Sequence, residues 1–71
     1  MVVLLGKVTN LDDNTIELDN EFEINFNKEM KEQVEKHLFI GTVVGIKGKL
    51  ECGNVVRAEK LTIISKGRFD V

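Results

Sequence analysis

The chain of 71 residues contains no tryptophan, no tyrosine and no proline. Its aromatic surface is therefore limited to Phe22, Phe26, Phe39 and Phe69, and any site that works by stacking must draw on these four. One cysteine, Cys52, excludes an internal disulfide, and a single histidine besides leaves no Cys/His set for zinc. No uncharged run approaches the ~20 residues of a spanning helix. The N-terminus lacks the basic start, apolar stretch and small-residue cleavage site of a secretory signal. A cytoplasmic location without a membrane partner is the expectation. There is also no phosphate-binding glycine loop, no Ser/His/Asp arrangement and no pair of acids in an apolar setting. Catalysis, a cofactor and a metal are therefore not expected, and His37, which has no partner at a recognisable spacing, reads as a helix-end residue.

What is present is a globular composition. Apolar residues make up 42% of the chain, too many for disorder. The length suits one small domain with a thin core, expected over 1–66, with a tail over 67–71. The net charge is -2 and the pI near 5.3, whereas a nucleic-acid binder is usually basic. The charges are not evenly spread. Asp12 to Glu35 holds nine acids and two bases; Lys36 to Arg68 holds seven bases and two acids. Such asymmetry can give an acidic protein one basic face, although a sheet can also mix its charges by chance.

Period-two alternation dominates the pattern. Val2 to Thr9 reads as a buried strand, followed by the turn cluster Asn10 to Asn14. Thr15 to Asp19 alternates with Ile16 and Leu18 inward, and Asp19-Asn20-Glu21 forms a tight turn. In the third strand Phe22, Ile24 and Phe26 share one face, with Glu23 and Asn25 on the other. Asn27 is a helix N-cap, Met30, Val34 and Leu38 form the stripe of a short helix, and Gly41 ends it. Thr42 to Glu51 and Val55 to Ser65 are the last two strands, joined through Gly53-Asn54. Gly45 and Gly48, inside the fourth strand, suggest a bend or a close backbone approach. This all-β order with one short helix between strands three and four predicts a five-stranded Greek-key OB-fold barrel. An SH3-like barrel is the alternative.

Residues 29–64 resemble bacterial single-stranded-DNA-binding proteins. Phe26 leads into the helix and Gly41. The strand Val44-Gly45-Ile46-Lys47-Gly48-Lys49-Leu50 has the form V-x-V-x-G-x-L, and Val56 to Ile64 has the form V-x-A-x-x-V/L-x-x-L/I. The opening VVLLGKVT is similar to that family's first strand. The likeness covers about half of the chain well. It implies a single-stranded DNA partner, RNA being the alternative, and links to self-association or to replication and recombination proteins. The chain departs from the family in lacking its stacking tryptophans, the long loop between strands four and five, and an acidic C-terminal tip. The stretch NTIELDNEFEINF is similar to strands two and three of the small bacterial translation initiation factor, an RNA binder.

Two sets of candidate residues follow. With Val44, Ile46 and Leu50 inward, Lys47 and Lys49 point outward, Arg57 lies across the turn, and Lys7 in the first strand joins them to track a phosphate backbone. A solvated sheet face without a ligand would look the same. Phe26 is either core or a platform for a base. Phe39 and Ile40 either close the core beneath the helix or, with Phe69, form a protein-binding patch. Cys52 reads as a small half-buried residue. The function expected first is weak, unspecific, non-catalytic binding of single-stranded nucleic acid; the second is a protein-interaction or oligomerisation module.

Overall fold

The alternating segments become five strands, and the i, i+4 stripe becomes one helix. A computed structural model describes residues 1–65; the expected tail over 67–71, and Phe69 with it, lie outside the described residues. The order is β1 (Val2–Leu11), β2 (Thr15–Leu18), β3 (Phe22–Asn25), α1 (Lys28–His37), β4 (Val43–Cys52) and β5 (Val55–Ser65). The strands form one sheet in the order β1-β2-β3-β5-β4, and β4 returns to pair with β1, so the sheet closes on itself. All pairings are antiparallel except that of β3 with β5.

The inward residues of all five strands meet in one core: Val8, Ile16, Leu18, Ile24, Val44, Ile46, Val56 and Ala58. Val34 and Leu38 add the helix stripe to it, with Met30 packed at its margin. Asn27 caps α1 as expected, its side chain accepting a hydrogen bond from Met30 N–H at 2.9 Å. A ten-residue helix has little stability of its own, so the cap matters. Asn27→Ala is expected to cost about 1 kcal/mol, seen as a Tm several degrees lower, with Asn27→Ser close to the parent.

Two interruptions of the alternation mark where strands bulge. In β5 the apolar positions run 56, 58, then 61, 63. The register accordingly jumps from Gly48↔Ala58 to Lys47↔Lys60, and Glu59 is the extra residue. The bulge turns Leu61 and Ile63 back toward the core, against which both pack. In β1 the jump falls at Thr9, between Val8↔Leu18 and Asn10↔Glu17, and restores Leu11 to the core. The Thr9 hydroxyl fixes this bulge by donating to Glu17 Oε1 (2.9 Å) and accepting from Asn20 N–H (2.9 Å). Asp19 and Asn20 both have φ of 55°, the backbone of a type I′ hairpin turn.

Several expectations are corrected. β1 runs two residues further than expected, because the Thr9 bulge lets Asn10 and Leu11 continue the ladder with β2. β4 starts at Val43, not Thr42. Thr42 instead closes a turn, its N–H donating to Phe39 O at 3.0 Å while its Oγ1 accepts from Phe39 N–H at 3.1 Å. Leu50 does not point into the core: it is 55% exposed. It has the inward parity of Val44 and Ile46, but it lies beyond Gly48, where the pairing of β4 with β1 ends. Cys52, near the tip of that hairpin, is exposed rather than half-buried. Gly45 has no close neighbour that a side chain would meet, whereas Gly48 does. No helix among the described residues is long and apolar enough to cross a membrane.

Candidate nucleic-acid interface

Antiparallel pairing decides which cations meet. Lys47 lies opposite Lys60, and Lys49 opposite Arg57. All four are exposed on the outer side of β4 and β5. Directly opposed side chains have Cβ atoms about 5 Å apart, where like charges destabilise the pair. Only part of this repulsion is compensated. Glu51 holds Arg57 through an ion pair of 3.2 Å and accepts from Asn25 Nδ2 at 3.5 Å. Glu59, the bulge residue, is the other acid on this stretch. The result is a cluster of four cations and two acids on two adjacent strands.

Beside it runs a groove of about 570 Å³, lined by Asn14, Asn25, Phe26, Asn27, Arg57, Ala58 and Glu59. Its parts converge because Phe26 N–H donates to Asn14 O at 3.4 Å, joining the β1–β2 turn to the end of β3, while Asn25 pairs with Arg57 across the β3–β5 ladder. Phe26 fills both of its possible roles in geometry: half-buried, it packs against the core and also lines the groove. Phenyl, guanidinium and carboxamide side chains on one wall can offer a planar base a stacking surface and hydrogen-bond partners.

Of the residues the sequence pointed to, Lys47, Lys49 and Arg57 lie on the paired strands β4 and β5, and Arg57 shares the groove with Phe26. Lys7 is not with them. Its outer-face neighbour is Val43, and it lies four residues along β1 from Val3, which faces Lys47, roughly 13 Å away. Lys60 was missed, because strict alternation from Arg57 would aim it inward; the doublet Glu59-Lys60 between Ala58 and Leu61 was the signal for the bulge that turns it out. The groove asparagines were also missed, each having a local reading as turn, polar face or cap.

Four further acids lie on the neighbouring strands and turns. Asp12, Glu17, Glu21 and Glu23 border a depression of about 190 Å³ on the outer side of β2 and β3. Among the described residues, no three His, Cys, Asp or Glu side chains are grouped to hold a metal ion. Phe39 and Ile40 do not close the core: they are 56% and 55% exposed at the turn that Gly41 completes with φ of 97°. No protein-family model, curated protein or solved structure matches the chain.

Proposed function

We propose that the chain is a small OB-type Greek-key barrel that binds single-stranded nucleic acid, DNA ahead of RNA, weakly and with little sequence preference. On this reading it is a non-catalytic cytoplasmic protein. The strand order β1-β2-β3-β5-β4, with the parallel β3–β5 pair and the helix between β3 and β4, supports the OB reading. The observation that carries the function is the cation cluster of Lys47, Lys49, Arg57 and Lys60 abutting the groove that contains Phe26. Phosphates would lie along the cations and unstacked bases would turn toward Phe26. Lys7 would contribute at most to long-range attraction.

Fluorescence anisotropy with labelled oligo-dT at low salt tests this reading. Half-saturation is expected on the order of 10 μM, with log K falling against log salt by about 0.7 for each phosphate contacted. A flat titration at ten times that concentration would falsify the proposal. Phe26→Leu keeps an apolar side chain against the core and removes the ring. It is expected to weaken binding about tenfold, in line with ~1–3 kcal/mol for a stacked base, while Tm falls only slightly.

A second reading, a protein-interaction module, is favoured by one observation. The turn Phe39–Thr42 presents Phe39 and Ile40 to solvent on a backbone fixed, besides the two bonds between Phe39 and Thr42, by Gly41 N–H to Val8 O (2.8 Å) and Val8 N–H to Thr42 O (2.8 Å). Rigid apolar groups of this kind bind partners at low entropic cost.

A further inference from the structure

The groove at Phe26 holds one residue that phosphate binding does not explain. Glu59 lines it together with Arg57, two positions away on β5. The strands here carry Lys47, Lys49, Arg57 and Lys60, yet among the described residues the Glu59 carboxylate makes no hydrogen bond or ion pair. An acid left free in the path of a polyanion opposes binding unless it meets a hydrogen-bond donor. Glu59 is also the extra residue of the β5 bulge, a device that re-aims a side chain.

Its neighbours are already committed in ways that leave defined groups free. Glu51 holds one guanidinium nitrogen of Arg57 at 3.2 Å and accepts from Asn25 Nδ2 at 3.5 Å. A guanidinium has five N–H donors, so Arg57 keeps others for the groove. Asn27 engages its Oδ1 with Met30 N–H at 2.9 Å, which leaves its Nδ2 as a donor. Phe26 presents a ring. One groove of about 570 Å³ therefore combines a stacking face, a cation and an unpaired carboxylate, in the size range of small-ligand sites.

The bases differ at the edge that pairs in a duplex. Thymine and uracil have a single N–H between two carbonyls. Cytosine and adenine have an amino group beside a bare ring nitrogen, whose lone pair repels a carboxylate. Guanine alone has two donors side by side, N1–H and N2–H, with the O6 carbonyl next to them.

We propose that this groove selects guanine at one position of an otherwise unspecific strand. Guanine N1–H and N2–H donate to the two carboxylate oxygens of Glu59, an Arg57 N–H donates to O6, and the purine lies on Phe26. Stacking and phosphate contacts accept any base, whereas the paired, charge-assisted hydrogen bonds accept one. The assignment rests on strand binding at this same groove, and its test separates the two.

The test is anisotropy at low salt with short labelled oligo-dT, unmodified or carrying one central guanine, adenine, cytosine or hypoxanthine. A single guanine per oligomer prevents four-stranded assemblies. Hypoxanthine keeps N1–H and O6 but lacks the N2 amino group. The guanine oligomer is expected to bind about fivefold more tightly than oligo-dT, and the other three within about twofold of it. Glu59→Gln is expected to erase the guanine gain while raising affinity for oligo-dT slightly, because a negative charge leaves the path of the phosphates. Its circular-dichroism melt should match the parent, since the side chain is exposed. Equal affinity for guanine and thymine, a gain that hypoxanthine reproduces, or a gain that survives Glu59→Gln each overturns the guanine assignment and leaves strand binding in place. Failure of every oligomer to bind removes strand binding itself, and the assignment with it.

Discussion

Gly48→Ala is expected to lower stability by about 3 kcal/mol, the upper end of what overpacking costs in a rigid environment. A Cβ on Gly48 would collide with Arg57 O and lie 2.9 Å from Arg57 C. Those are main-chain atoms of β5, at the point where the Glu59 bulge begins, and no rotamer change can move them away. Either β4 and β5 separate there or the bulge is lost, and both outcomes disturb Ala58 and Val56 in the core. A domain of this length has a total stability of about 4–10 kcal/mol, so the loss is a large fraction of the total and the variant is expected to unfold at a much lower urea concentration than the parent. Gly45→Ala is the control. Its nearest neighbours would be Ile64 Cδ1 and Leu5 Cδ1, both at 3.9 Å. The substitution is expected to be neutral or to stabilise by up to about 1 kcal/mol, through the unfolded chain. Urea denaturation of the two variants beside the parent measures the difference.

Reversing two cations is expected to move binding and stability in opposite directions. In the double variant Lys49→Glu with Lys60→Glu, each cross-strand pair of like charges becomes a pair of opposite charges. Position 49 turns negative against Arg57, and position 60 turns negative against Lys47. Each such change favours the β4–β5 ladder by about 0.5 kcal/mol, so Tm should hold or rise. Two phosphate contacts are lost and two repulsions gained. Affinity for oligo-dT should fall well over tenfold at low salt, and the salt slope should shrink by about 1.4. If the cations were only a solvated face, Tm would change in the same way and the anisotropy titration would not. Unfavourable charge pairs retained on one face are what a ligand-binding surface requires and what stability alone does not.

Most of the fold was legible in the residues. Alternation marks the strands, Asp19-Asn20 and Gly53-Asn54 mark the turns, and Asn27 with Met30, Val34 and Leu38 marks the helix. These features act locally, over two to four residues. What was not legible depends on register and on where the closed sheet ends. Leu50 has a core residue's pattern, but its strand outruns β1. Gly45 and Gly48 look alike in sequence, yet only at Gly48 is a neighbouring strand's carbonyl too close to leave room for a side chain. Lys60 turns outward because Glu59 is an extra residue, a fact read only once β4 is laid beside β5. Lys7 has the right charge and the right face, but its place along β1 separates it from the others. Phe26 could not be assigned to core or groove from alternation, because it lies where β3 ends and touches both.

The proposed uptake of a single strand by the outer face of β4 and β5, with the groove at Phe26, is tested residue by residue. The experiment is amide chemical-shift mapping with unlabelled oligo-dT at low salt. Concerted shifts are expected at Asn25, Phe26, Lys47, Lys49, Arg57 and Lys60, with Glu17, Glu21 and Glu23 unmoved. A spectrum that does not respond, or one that responds at Phe39 to Gly41 and leaves β4 and β5 still, would contradict the proposed function.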